Sequence, residues 1–253
     1  MAALVDRPLL MLAVSFVALV LAALLGVAAE RVWNPVKPSD HNELAIVQSA
    51  ALTLLGLIVG FTFAMAISRY DQRKGLEEAE ANAIGTEYLR VGLMPDNAAA
   101  NARGALKRYL DLRIQHYLTT DQGELARIGA ERAKLEADLW AAMRSQSEAS
   151  PTAITMLVAW GLNDVFNSTD ATAAAWLDRI PVPAWWLLAL IALGANVTLG
   201  FGAKRFNALL LVVPLAAAVS FFLIADIDSP RGGVVKVAPE NLDRLAASLN
   251  AAP

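Results

Sequence analysis

The chain has 253 residues, 57% of them hydrophobic, a net charge of −3 and no cysteine, and its mean hydropathy is +0.46. Apolar residues gathered into four runs make it an integral membrane protein, and the interspersed acids and bases give no basic field for nucleic acid. The absence of cysteine excludes disulfides, zinc thiolate sites and a thiol nucleophile.

The apolar runs are Pro8 to Ala29, Leu44 to Ile67, Ala184 to Ala203 and Ala208 to Ala225, each long enough for the roughly 20 residues of a spanning helix. Arg7 before the first run and Val27-Ala28-Ala29 at its end also fit a signal peptide. That apolar core, however, exceeds the roughly 7–15 residues of a signal. Trp33 and Trp185-Trp186 mark span ends, where amphipathic rings favour the headgroup level. With the N-terminus inside, Arg7, Arg69, Arg73, Lys74, Arg179, Arg231 and Lys236 are cytoplasmic, against Arg31, Lys37, Lys204 and Arg205 outside. This predicts both termini in the cytoplasm.

The second run leads without a turn residue into Ser68-Arg69-Tyr70-Asp71-Gln72-Arg73-Lys74, so one rod is expected to leave the bilayer and continue into water. Its apolar stripe there is read as Leu76, Ala79, Ala83, Ile84, Tyr88 and Val91, which leaves Glu77, Glu78 and Glu80 on a solvated face. A stop is expected near Gly92 and Pro95, with Asp96 as N-cap of a second helix ending near Thr119. Asp121-Gln122-Gly123-Glu124 has the form of a capping box. Ser150-Pro151 supplies an N-cap followed by proline for a fourth helix through Trp160. Val234 to Val237 is the one strand-like scrap, and Asn241 to Leu249 reads as a short terminal helix. The fold class is therefore an all-α membrane protein. It divides into two spanning helices (1–67), a cytoplasmic helical bundle (68–180), two further spans (181–225) and a cytoplasmic tail (226–253).

No Ser/His/Asp set, P-loop or dinucleotide fingerprint is present, so the sequence indicates neither an enzyme nor a cofactor. His41 and His116 lie far apart without a ligand spacing and read as surface or packing residues. Asp226 and Asp228 fit either oxygen ligands of a divalent cation or a helix end followed by a turn. Gly56 and Gly60, with Ser49, Thr53 and Ala64, form a small-residue strip of the kind that lets membrane helices pack closely. Thr53, Leu57 and Phe61 recur every four residues on an adjacent face, which suits the lining of a narrow apolar passage as well as packing against neighbours. Asn196 is polar at membrane depth and is expected to bond a neighbouring helix.

Gly60-Phe61, followed after seven intervening residues by Arg69-Tyr70, resembles the end of the pore helix in bestrophins. Ser68 to Arg73, Glu78 to Arg90, Met94-Pro95 and the Asp226-Ile227-Asp228-Ser229-Pro230-Arg231-Gly232 tail are similar to a bestrophin-like bacterial membrane family. The resemblance implies a homo-oligomeric ion channel of the bacterial inner membrane, with a pentamer favoured. The second span of each subunit would surround a central pore, with Thr53, Leu57 and Phe61 as its neck and Arg69 and Tyr70 at its cytoplasmic mouth. Its partners would be membrane lipid, further copies of the chain and inorganic ions. The chain lacks a dense acidic run like the calcium clasp of animal bestrophins. The rival reading is a non-conducting structural or regulatory membrane protein whose cytoplasmic bundle binds partners.

Overall fold

The computed structural model describes residues 2–33, 41–203 and 207–251. Among these the secondary structure is helical throughout, with no strand. The elements are α1 (Ala2–Val5), α2 (Pro8–Trp33), α3 (His41–Val91), α4 (Asp96–Leu118), α5 (Gln122–Ala149), α6 (Ala153–Leu177), α7 (Val182–Phe201), α8 (Val212–Asp228) and α9 (Glu240–Ala251), with a 3-10 turn at Ala208–Leu211. Four segments are long and apolar enough to cross a membrane, and they contain α2, the first part of α3, α7 and α8. The expected rod is α3, 51 residues without a break.

Two compact units emerge, Met1–Tyr70 with Arg179–Lys236, and Asp71–Asp178 with Val237–Pro253. In the first, the spanning unit, α2 packs against α7 and α8, around a core that includes Leu19, Leu55, Trp185, Leu188, Phe221 and Ile224. Two glycines set how closely α2 and α7 approach. A Cβ on Gly26 would strike the Val197 carbonyl, and one on Gly200 would strike the Ala23 carbonyl. Both obstacles are backbone, so neither can rotate away. This is the small-residue packing expected of helices in lipid, but at a place other than Gly56 and Gly60. Asn196 is fully buried, and its amide donates to the Ala192 carbonyl at 2.8 Å on its own helix. The expected bond to a neighbouring helix is replaced by a local one.

In the second, the polar unit, α4 packs on α5 and α9, and α5 on α6. The apolar core gathers Val91, Leu106, Leu139, Met143, Val158 and Leu162. Local capping shifts several expected boundaries. Pro95, with no side-chain hydrogen bond, occupies the N-cap of α4, and Asp96 is its first residue. At α5 the Asp121 carboxylate accepts from the Glu124 N–H at 2.8 Å, whereas the Glu124 side chain binds Arg127 instead of reaching back. For α6 the cap is Thr152 rather than Ser150. The Thr152 hydroxyl accepts from the Thr155 N–H and the Thr155 hydroxyl from the Thr152 N–H, a reciprocal box that starts the helix beyond Pro151. His116 packs beside Trp176, ring centroids 5.5 Å apart.

Candidate functional site

The spanning half of α3 is sided. Leu55, Thr62 and Ala66 are buried and Val59 is half-buried, while Thr53, Gly56, Leu57, Gly60, Phe61 and Ala64 are exposed on the opposite side. Phe61 is 63% exposed and Leu57 53%. The glycine strip and the proposed neck therefore share one uncovered face of the single chain. A Cβ at Gly56 or Gly60 would meet nothing within 4 Å, so among the described residues these glycines pack against no helix of their own chain. The Thr53 hydroxyl donates to the Ser49 carbonyl at 2.8 Å, which satisfies its proton within the helix and leaves a carbon-rich surface outward. Only 17% of the most apolar stretch of this span is buried, against 33%, 28% and 39% for the other three. Arg69 and Tyr70, at the end of the span, are half-buried.

The buried face continues in phase along the helix. Leu55, Val59, Thr62, Ala66, Arg69, Arg73, Glu77, Glu80, Ile84, Glu87 and Val91 advance ten steps over 36 positions, the 3.6-residue period of a straight α-helix. In the polar unit this line carries charge: Arg73, Glu77, Glu80 and Glu87 are at most 1% exposed. Glu78 is exposed as expected, but the solvated face expected for Glu77 and Glu80 is overturned. Glu77 and Glu80 can be buried there because other helices bring donors to them.

Glu80 is the most heavily bonded of these carboxylates. Arg113 of α4 donates from Nε and, at 3.3 Å, from Nη2; the hydroxyls of Tyr117, Thr169 and Thr172 donate at 3.4, 3.1 and 3.3 Å. Such a pair is held by both charge and hydrogen bonding. Burial raises the Tyr109 and Tyr117 hydroxyls above their ordinary range, so both stay protonated donors. Glu77 does different work. Its carboxylate accepts from the Asn241 and Leu242 N–H groups at 2.8 and 3.0 Å and from the Asn241 amide at 2.6 Å. It thereby caps the positive N-terminus of α9 from another element. At the other end of α9, Lys107 donates to the Leu249 carbonyl at 2.7 Å. Beside α4 and α5 lies a groove of about 700 Å³ whose floor includes Val91, Leu135, Leu139 and Met143 and whose rim includes Arg108 and Lys134.

Asp226 and Asp228 face separate donors. The two Asp226 oxygens accept from the Val234 and Val235 N–H groups at 2.7 and 2.8 Å, which bends the expected strand-like scrap into a turn. A Cβ at Gly233 would strike the Asp226 carbonyl, so glycine is required for the return of the chain. Asp228 accepts from the Ile180 N–H and from Arg179 Nε, both at 3.0 Å. Of the two sequence readings, this geometry is that of a helix end and turn. Among the described residues no group of three or more His, Cys, Asp or Glu is placed to hold a metal ion. The side chains of Trp33 and His41, and Lys37, Lys204 and Arg205, lie outside the described residues.

Sequence reasoning missed Arg73, Glu87 and Arg113, and with them the inward role of Glu77 and Glu80. The available signal was the phase of Leu55, Thr62 and Ala66 carried forward at 3.6 residues per turn; hydrophobicity found Ile84 and Val91 on that line but passed over the charged positions along it.

Comparison with known proteins agrees with the architecture. Crystal structures of a bacterial bestrophin homologue from Klebsiella pneumoniae, each carrying a single substitution, are similar in fold. One matches at a TM-score of 0.62 and 14% identity, covering 94% of this chain and 96% of that one; another matches at 0.63 and 13%, covering 96% and 99%. A structure described only as a membrane protein matches at 0.57 with 14% identity, covering 96% of this chain and 95% of that one. No curated protein matches the chain. The bestrophin-like domain model matches residues 16–242, nearly the whole of both units, and the chain is therefore a membrane protein belonging to the bestrophin-like family.

Proposed function

We propose that the protein is a homo-oligomeric ion channel in which the second span of each subunit, the first part of α3, surrounds a central pore. The observation that carries this reading is the uncovered face of Thr53, Gly56, Leu57, Gly60 and Phe61 on the least buried span. Family membership and the bestrophin fold support it. In the proposed assembly Thr53, Leu57 and Phe61 form the neck, Gly56 and Gly60 admit the neighbouring subunit, and Arg69 and Tyr70 stand at the cytoplasmic mouth. Five copies are favoured by the family resemblance, and lipid covers the outward faces. The bacterial inner membrane is what the family resemblance implies, and the distribution of basic residues favours both termini in the cytoplasm. A ring of Leu57 and Phe61 makes a dry constriction, where conduction is limited by wetting and weakly hydrated ions pass most readily.

Bilayer recording of purified protein tests the neck. Phe61→Ala and Leu57→Ala are expected to raise single-channel conductance or open probability, because each widens and wets the constriction. Wild-type and variant proteins that are all assembled yet electrically silent across salts, pH and voltage would overturn the channel reading. That outcome favours the alternative, a non-conducting structural or regulatory protein, whose supporting observation is the apolar-floored groove of the polar unit.

A further inference from the structure

Glu87 differs from the other buried carboxylates of α3. Its side chain is fully buried, and neither of its oxygens has a hydrogen-bond partner. An ionised carboxylate left in that state carries a large desolvation cost, whereas a protonated one is a far smaller burden. Two charged groups stand near it. Arg90 of its own helix places Nη1 3.8 Å from Glu87 Oε2 and 3.7 Å from Asp164 Oδ2 of α6, beyond hydrogen-bond range of both. The guanidinium is thus shared between two carboxylates and committed to neither. Other cations nearby have different attachments: Arg103 of α4 lies over the Tyr88 ring at 5.2 Å, and Arg113 holds Glu80. On the α9 side, a Cβ on Gly85 would meet the apolar side chain of Leu245 at 3.0 Å.

Gly161 of α6 makes the arrangement possible. A Cβ there would coincide with the Glu87 carboxyl and lie 2.7 Å from Arg90 Nη1, so the carboxyl lies flat against bare helix backbone. Along α3 the neighbouring inward residues are Ile84 and Val91, and along α6 they are Val158, Leu162 and Val165, all buried. The cation paired with Glu87 is Arg90, which is partly exposed and beyond hydrogen-bond range.

We propose that Glu87 is a proton-binding site which keeps the α3–α6 seam closed while protonated, and which on losing its proton draws Arg90 away from Asp164 and loosens the seam. The step is a simple dissociation: the proton passes to water, the carboxylate gains the charge, and the Arg90 guanidinium turns from one acceptor to the other. Burial pushes the Glu87 carboxyl from 4.5 up to about 8, Arg90 opposes the rise and Asp164 adds to it. The folded state therefore binds this proton more tightly than the unfolded state. The resulting stabilisation is complete below about pH 4.5 and is lost as pH rises through about 8.

Infrared difference spectroscopy on the full-length protein in lipid bilayers, titrated from pH 5 to 9.5, reads the site directly and does not depend on whether the protein conducts. A protonated-carboxyl band is expected to disappear with a midpoint near pH 8 and to be missing from Glu87→Gln. Asp164→Asn is expected to lower the midpoint and Arg90→Met to raise it; these two keep the assignment testable if Glu87→Gln fails to fold. The melting temperature of wild type relative to Glu87→Gln is expected to fall as pH rises across the same window. A wild-type protein with no carboxyl titrating above pH 6.5, a band that survives Glu87→Gln, or a midpoint indifferent to both neighbours overturns the proposal.

Discussion

Between Leu55 and Ala66 the inward face of α3 is apolar or small, and the outward face carries Gly56, Leu57, Gly60 and Phe61. Between Arg73 and Glu87 the same line of the helix, carried forward in phase, holds one cation and three carboxylates, while Leu89 stands 70% exposed. In a membrane, exposed apolar residues carry no solvent penalty, so inside and outside are distinguished by shape rather than polarity. In the polar unit the rule that charge faces water gives way at Glu77 and Glu80 because α4, α6 and α9 supply donors at the right places, whereas Glu87 is buried without one. One helix thus uses one face for two kinds of packing, and polarity alone does not identify that face.

The largest expected effect tests whether the buried charges are structural. Glu80→Ala leaves Arg113 buried without its partner, and a loss of about 3–5 kcal/mol is expected for the polar unit, read by denaturation of the protein in detergent. Recovery of much of that loss in Glu80→Leu with Arg113→Met would show that the penalty comes from the unpaired charge. A loss below about 1 kcal/mol for Glu80→Ala would instead place Glu80 at the surface.

A smaller effect sharpens the contrast between glycines that pack inside the chain and those that face outward. Gly26→Ala drives a methyl group into the α7 backbone and is expected to cost about 1–3 kcal/mol, measured by thermal unfolding of the spanning unit. Gly60→Leu meets only open space within the chain. It should leave protomer stability within about 0.5 kcal/mol while lowering the oligomer fraction on size-exclusion chromatography. Equal effects of the two variants on protomer stability would erase the distinction.

The smallest expected effect concerns α9. Glu77→Ala removes a cap from the helix N-terminus, a change of about 1 kcal/mol, and hydrogen exchange should quicken in residues 240–251 while α4 and α5 are unchanged. Unaltered exchange in α9 would mean that Leu242 and Leu249, both buried, hold the helix by apolar contact alone.

Legibility in the sequence follows the kind of force involved. The four spans, the unbroken rod of α3, the end of that rod at Val91 and the N-cap at Asp121 were readable from local patterns. Hydrophobic run length, capping chemistry and turn residues act over a few positions. The buried roles of Glu77, Glu80 and Glu87 were not readable, since each depends on groups contributed by distant segments: Asn241, Arg113 with Thr169 and Thr172, and Gly161. For the candidate pore, the four-residue spacing and the family resemblance together selected Thr53, Leu57 and Phe61, yet spacing could not tell an uncovered face from a packed one. The glycines show the same limit: Gly56 and Gly60 had the conspicuous spacing, but the close backbone approach belongs to Gly26 and Gly200.

What the sequence determined by itself is therefore the class of the protein and the lengths of its helices, because water and lipid sort residues by polarity wherever the solvent is the partner. Tertiary structure alone decided which face of each helix is inside and which carboxylates hold a cation, cap a helix or remain without a donor. Those outcomes depend on specific atoms meeting within a few ångströms, and residues far apart in the chain must be folded together before that meeting exists.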